Sequence, residues 1–188
     1  MLTVITGPMY SGKTSALISR AMAHVIAGKF VVAFKPANDI RYDKIDIISH
    51  SGHKFPAIPI NPDIPQICLD MLDKYKADGK SVDVVCFDEA QFFNEDLFEI
   101  LIRYLVLESR KTVIIAGLSQ DFKGEPFGAM PYCLATADDI VHLKAVCMKS
   151  KELFSATRTF KRGGKSSQVE VGGAELYEAR SFKYWINI

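Results

Sequence analysis

Gly7-Pro8-Met9-Tyr10-Ser11-Gly12-Lys13-Thr14 fits G-x-x-x-x-G-K-[ST], the pattern of a phosphate-binding loop. Its flanks turn the pattern into a mechanism. Leu2 to Thr6 is a short apolar run rich in β-branched residues and reads as a buried strand. Thr14 to Ala27 carries Leu17, Ile18, Ala21, Met22 and Val25 at helical spacing, and Gly28 is placed to stop the helix. Strand, glycine loop and helix start, in that order, aim backbone N–H groups and a positive dipole end at a phosphate chain. In such a loop Lys13 reaches the β- and γ-phosphates and the Thr14 hydroxyl coordinates Mg²⁺.

Outward from the loop, Phe30 to Phe34 is a second apolar run, ended by Lys35-Pro36. Strand, helix and strand in alternation predict an α/β chain with a parallel sheet. Ala37 to Pro65 reads as a long loop with room for one edge strand, in which His50 and His53 are ordinary loop polarity without metal-ligand company. Ile64 to Tyr75 is an amphipathic helix, and Val82 to Phe87 a strand that runs into Asp88-Glu89. An apolar strand ending in Asp is the partner half of a nucleotide site, its carboxylate ordering Mg²⁺ or the waters around it. Asn94 caps a helix to about Ser109, Thr112 to Ala116 is a buried strand, and Gly117 to Gly128 is a loop at a strand end, facing the same crevice. Met130 to Ala137 reads as a short helix and Ile140 to Val146 as a last core strand. From Cys147 the composition turns to Lys, Arg, Ser and Gly, and the tail reads as a small β lobe resting on the main body.

Composition excludes several function classes. A net charge of +1 is a poor basis for holding nucleic acid. No apolar run approaches the roughly 20 residues of a membrane helix, and no signal peptide is expected. Cys68, Cys86, Cys133 and Cys147 are scattered, as expected of free thiols in a reducing cytoplasm rather than a disulfide framework.

The ordered set of motifs resembles the thymidine kinases of the type shared by bacteria, poxviruses and the animal cytosol. The marks are the phosphate loop, Asp39-Ile40-Arg41-Tyr42, Asp88-Glu89-Ala90-Gln91-Phe92-Phe93, Gly117-Leu118 through Asp121-Phe122, Pro126-Phe127, Leu143-Lys144-Ala145-Val146-Cys147, and Val171-Gly172-Gly173 with Tyr177. The resemblance runs nearly end to end. It implies a RecA-like parallel-sheet P-loop domain over residues 1–142 and a small lobe over 143–188 whose lasso loop closes on the nucleoside. It implies ATP and Mg²⁺, thymidine as acceptor with deoxyuridine possible, dTTP as a feedback inhibitor, a homotetramer, and a cytoplasmic enzyme of nucleotide salvage with no nucleic-acid or membrane partner.

By position, the resemblance implies Glu89 as general base for the nucleoside 5′-hydroxyl. Lys13, Thr14 and Asp88 form the phosphate and Mg²⁺ set, with Gln91 beside the loop residues Gly7 to Gly12 and Arg41 on the phosphoryl groups. Met9, Phe92, Leu118 and Phe127 would wall the base pocket. Thr157 and Tyr177 would lie beside the base, with Val169, Glu170, Val171, Gly172 and Gly173 bonding the pyrimidine edge; because this tail is too polar to form a core of its own, it is expected to order only on nucleoside binding. Two other classes stay open on the residues alone: an ATPase that activates water through Asp88-Glu89, and a nucleotide-binding module without activity. The Phe92-Phe93 pair favours a base pocket over a water site.

One departure stands out. The family's lobe usually holds zinc through two C-x-x-C-like pairs, but here they read Cys147-Met148-Lys149-Ser150 and Ser181-Phe182-Lys183-Tyr184. Three of the four positions carry poor zinc ligands. No zinc is expected, and an apolar cluster led by Trp185 is expected in its place.

Overall fold

A computed structural model describes residues 1–37, 46–49, 52–163 and 175–186. Among the described residues a six-stranded sheet carries the fold, in the order β5-β2-β6-β7-β1-β8, every pair parallel. Its strands are β1 (Leu2–Thr6), β2 (Val31–Pro36), β5 (Ile58–Ile60), β6 (Val84–Phe87), β7 (Thr112–Gly117) and β8 (Asp139–His142). The central strands β1, β6 and β7 are buried almost throughout, as near-continuous apolar runs must be when both faces are covered.

One face packs α2 (Ile67–Ala77), α3 (Glu95–Arg103) and α4 (Met130–Thr136) over Phe34, Phe87, Phe98 and Leu105. The Phe87 and Phe98 rings meet edge to face at 5.0 Å, and Phe93 stacks on Phe98 at 4.8 Å. Asn94 caps α3, its side chain accepting the Leu97 N–H at 3.1 Å, and a π-helical turn over Tyr104–Glu108 extends the helix to the predicted end. The other face packs α1 (Lys13–Ile26) and the hairpin β3 (Asp46–Ile48) with β4 (Lys54–Pro56). A small antiparallel pair, β9 (Arg158–Lys161) and β10 (Tyr177–Arg180), forms the lobe, followed by α5 (Phe182–Ile186).

Five expectations need correction. The stretch Ala37 to Pro65 holds three short strands, β3, β4 and β5, rather than one. β2 runs on through Lys35 and Pro36; pairing with β6 stops at Phe34↔Phe87, so Pro36 faces only the edge strand β5, where a missing N–H breaks no central ladder. Met22 and Val25 sit on α1 but are 43% exposed, because the helix buries only Leu17, Ile18 and Ala21 against the sheet. The last strand is an edge strand, not a core one: Ile140 is half exposed, and pairing ends at His142. There the chain turns across the phosphate loop, Leu143 donating its N–H to Thr6 O at 2.7 Å. Gly7 must be glycine at this crossing, since a Cβ would collide with the Leu143 carbonyl oxygen.

The fifth correction concerns the lobe. The cluster at the expected metal position is small, made of Ala145, Cys147, Ala156 and Ala179 with Tyr184 against it. Trp185 is elsewhere. Its indole N–H donates to Phe122 O and Thr159 O, each at 3.2 Å, and its ring lies against Gly124. An indole keeps its polar edge satisfied when half-buried, and these carbonyls supply the partners. All four cysteines are free and buried. Burial pushes the Cys68, Cys86 and Cys133 thiols up to about 12, which keeps them protonated. No described helix is long and apolar enough to cross a membrane.

Candidate active site

The carboxyl ends of β1, β2, β6 and β7 gather the chemistry in one crevice, as an open parallel sheet dictates. β1 delivers the phosphate loop. Tyr10 and Gly12 adopt positive φ, 64° and 86°, and α1 begins at Lys13, so the loop curls over the helix start. Lys13 Nζ donates to Pro8 O at 2.9 Å across its own loop. The Ser11 hydroxyl is buried with no hydrogen-bond partner among the described residues. An orphaned hydroxyl inside a cationic, N–H-rich loop fits phosphate oxygens, which accept what the loop donates.

β6 delivers the acids. Asp88 is buried and accepts the Thr14 hydroxyl at 3.1 Å through Oδ2. Burial raises its carboxyl, the neighbouring Glu89 charge raises it further, and hydrogen bonds from the Glu89 backbone and Thr14 together with Lys13 only partly oppose this, leaving it at about 7. Thr14, Asp88, Glu89 and Lys35 line a polar cavity of about 20 Å³, closed by β3. That is room for about one water. A hydroxyl and a carboxylate are hard oxygen donors, the kind Mg²⁺ accepts.

Glu89 is held in the left-handed region, φ 50° and ψ 42°, a conformation non-glycine residues adopt only where the surroundings over-determine it. Gln91 is the brace. Its side-chain Nε2 donates to Glu89 Oε2 at 2.5 Å, and its Oε1 accepts the Leu118 N–H at 3.0 Å. Gln91 is buried, and a Cβ on Gly128 would collide with its carbonyl oxygen, so the β7 loop and the acid are clamped together. Gln91 is expected among the nucleotide-binding residues; in the structure its amide is engaged by Glu89 and Leu118.

Phe92 and Phe127 meet edge to face at 5.7 Å, with Leu118 buried nearby on the same loop system. Tyr177 is buried on β10. Thr157 lines a separate cavity of about 250 Å³ with Gly7, Pro8, Ser119, Gln120, His142 and Arg158. The threonine that touches the phosphate loop is Thr159, whose hydroxyl accepts the Met9 N–H at 3.1 Å. It lies one pleat period beyond Thr157, and strand alternation was the signal that could have found it. Asp121, one of the motif residues, serves its own turn: Oδ1 accepts the N–H groups of Lys123 and Glu125 at 2.8 and 3.0 Å.

Two residues were missed outright. Lys35 is buried at the end of β2, lines the acid cavity and donates to Asp46 O at 2.7 Å, tying the β3 hairpin to the site. Its position after an apolar strand made it look like a terminator. Lys161 is buried on β9, 5.3 Å from the Phe122 ring centroid, a contact no local pattern announces. Arg41, Val169, Glu170, Val171, Gly172 and Gly173 lie outside the described residues, as do Asp39, Tyr42, His50 and Ser51.

A thymidine kinase family model matches residues 1–185. The chain belongs to the thymidine kinase family. A thymidine kinase of Coprothermobacter proteolyticus is 44% identical over 183 residues, covering 95% of this chain and 87% of that protein. One of Pyrobaculum aerophilum is 39% identical over 190 residues, covering 99% of this chain and 98% of that protein. Family membership thus spans both the parallel sheet and the lobe, as the end-to-end order of motifs implied.

Proposed function

We propose that this chain is a thymidine kinase that moves the γ-phosphoryl group of ATP to the 5′-hydroxyl of thymidine, giving dTMP, with deoxyuridine as an alternative acceptor. The observation that carries the reading is the strained, braced Glu89 beside the Asp88–Thr14 pair and the Phe92–Phe127 wall. The small cavity at Asp88 and Glu89 has room for a water, which an ATPase would use; the Phe92–Phe127 wall, which begins three residues after Glu89, suits a flat base better.

In this reading Glu89 accepts the 5′-hydroxyl proton as O5′ bonds to the γ-phosphorus and the β–γ bridging oxygen leaves with ADP. Lys13 balances charge on the β- and γ-oxygens, and the loop amides and Ser11 hold them in line. Mg²⁺, held by Thr14 and Asp88, would neutralise phosphate charge when bound. Phe92, Phe127, Leu118 and Met9 sandwich the base, with Tyr177 and Thr157 toward the lobe. Arg41 on the phosphoryl groups, and Val169 to Gly173 on the pyrimidine edge, complete the set. We assign residues 1–142 to the kinase domain and 143–188 to the lasso lobe. Homotetramer assembly, dTTP inhibition and a cytoplasmic location belong to the same reading.

ATP consumption with and without thymidine tests it. Thymidine-dependent turnover supports the kinase, thymidine-independent turnover the ATPase, and none a binding module. Gln91→Leu provides a sharper check on the brace. A hydrogen bond to a charged group contributes about 1.5–3 kcal/mol, so kcat should fall roughly 10- to 100-fold if Glu89 needs that bond in the transition state. Unchanged kcat would show that Glu89 is positioned without it.

The Asp88 carboxyl adds a pH-dependent prediction. Its folded pKa of about 7 lies above the ordinary value of 3.8, so between these the folded state binds more protons than the unfolded one. Stability from this group is therefore full at low pH and lost as pH rises through about 7. Asp88→Asn keeps an acceptor for Thr14 and removes the ionisation. It should raise Tm at pH 8, raise it less at pH 5, and cripple phosphoryl transfer, as expected where a functional carboxylate is costly to bury. A Tm that drops at pH 8 would contradict the electrostatic account.

A further inference from the structure

Two turns of the lobe converge on one sulfur. Ala145 and Ala156 form a β-bridge, Met148 N–H donates to Ala179 O at 2.8 Å, and Thr157 N–H to Arg180 O at 3.1 Å. These bonds set the turn Cys147 to Ser150 against the turn Ser181 to Tyr184. Cys147 is fully buried between them. Its Sγ accepts the Ser181 N–H at 3.3 Å and lies 3.8 Å from Ser181 Oγ. In a tetrahedral zinc site with Zn–S of about 2.3 Å, neighbouring ligands stand about 3.8 Å apart. The one sulfur-to-hydroxyl separation matches that spacing, so at this pair the two turns stand a metal-ligand distance apart.

The chemistry on those turns does not fit zinc. Structural zinc takes four thiolate or imidazole ligands. The four positions on the two facing turns carry instead one thiol at Cys147, the hydroxyls of Ser150 and Ser181, and the phenol residue Tyr184. Among the described residues no three His, Cys, Asp or Glu side chains converge as a metal site would require. Hydrogen-bond donors point at the sulfur instead. Burial raises the Cys147 thiol, but the Ser150 hydroxyl and the N–H groups of Ser150, Ser181 and Lys149 outweigh it and bring it down to about 6. A sulfur surrounded in this way is an acceptor already in use.

We propose that this lobe closes without metal, the Cys147 sulfur serving as a hydrogen-bond hub where the rest of the family is expected to hold zinc, and that its turns keep a four-cornered frame able to take zinc again once thiols are restored. The hub replaces coordination bonds with donated hydrogens: two turns that a cation would tie by attracting four ligands are tied by N–H and O–H groups sharing one sulfur. The buried apolar contribution is small, because the cluster around the sulfur is three alanines with Tyr10 and Tyr184 only partly buried against it, and Trp185 is engaged on Phe122 and Thr159.

The test uses the full chain and readouts that do not depend on kinase activity, so it stands or falls apart from the proposed reaction. Wild-type protein dialysed against a chelator should hold no zinc by elemental analysis, keep its Tm, and show no thiolate-to-cobalt absorption on Co²⁺ titration. Ser150→Cys with Ser181→Cys and Tyr184→Cys should bind one Co²⁺ with the intense bands of a tetrahedral thiolate site, and saturating Zn²⁺ should raise its Tm by about 5 °C or more. Ser150→Cys with Ser181→Cys alone leaves Tyr184 packed and should bind Co²⁺ through three thiolates. For the hub itself, Cys147→Val matches volume without an acceptor and should lower Tm further than Cys147→Ser, which keeps one. One tightly held zinc per wild-type chain overturns the proposal, as does a folded cysteine variant without the cobalt bands. A Val variant as stable as the Ser variant overturns the hub.

Discussion

Replacing Lys13 with alanine should lower phosphoryl transfer by about 10³-fold or more, while thymidine affinity measured without ATP should stay near that of the unaltered protein. The size follows from where the charge is aimed. Removing one preorganised donor from a developing oxyanion already lowers kcat by about 10²–10³-fold, and Lys13 brings a full positive charge. The loop around it is built to hold that charge in place. Lys13 is the first residue of α1, Gly12 before it is left-handed, and the ammonium spans the loop to Pro8 O at 2.9 Å. Because that bond is to a backbone carbonyl at the loop's own rim, the ammonium can exchange it for phosphate oxygens by side-chain rotation alone. Steady-state kinetics and calorimetric titration with thymidine separate the two effects. Equal loss of both would show that nucleoside and phosphate do not occupy distinct parts of the crevice, and circular dichroism controls for folding.

The second large effect is at Glu89. Glu89→Gln keeps the size of the side chain and an acceptor for Gln91 Nε2, yet cannot take a proton. General-base catalysis contributes about 10²–10⁴-fold, so kcat should fall by at least about 10²-fold with thymidine binding retained. The left-handed backbone at this residue makes the experiment cleaner, since Gln meets the same φ restriction as Glu and any strain is unchanged. Near-normal kcat in this variant would mean the 5′-hydroxyl proton leaves by another route. Read with Gln91→Leu, the result distinguishes a base that must be oriented from a carboxylate that only contributes charge.

Several elements were legible because their cause is local. The β1 strand, the glycine loop and α1 follow from adjacent residues with a short-range signature, and their bounds came out within one residue. Asn94 caps α3 as its side-chain chemistry predicts. Asp88 and Glu89 were placed at a strand end because an apolar run stopping at an acid has few other meanings. The three strands between Ala37 and Pro65 were not legible. Each has only three residues, too few for an alternation pattern, and each forms because a neighbour supplies the pairing: β5 exists against β2, and β3 against β4.

The same division runs through the site. Sequence alone determined the phosphate-loop pattern, which acid stands next to which, and which residue types stand at positions 147, 150, 181 and 184, since each of these is a matter of residue type at fixed spacing. Tertiary structure decided what those groups touch. Gln91 turns inward to brace Glu89 because Leu118, 27 positions away, offers it an N–H. Thr159 rather than Thr157 reaches Met9 across 150 positions. Lys35 becomes part of the acid cavity only when β2 lies beside β6. Trp185 lies against Phe122 and Thr159 rather than beside Cys147 because the carbonyls of those two residues satisfy its indole N–H, and the alanines around Cys147 do not. A side chain's chemistry is written in its own residue, but its partner is chosen by the sheet order and by which buried donors and acceptors remain to be satisfied.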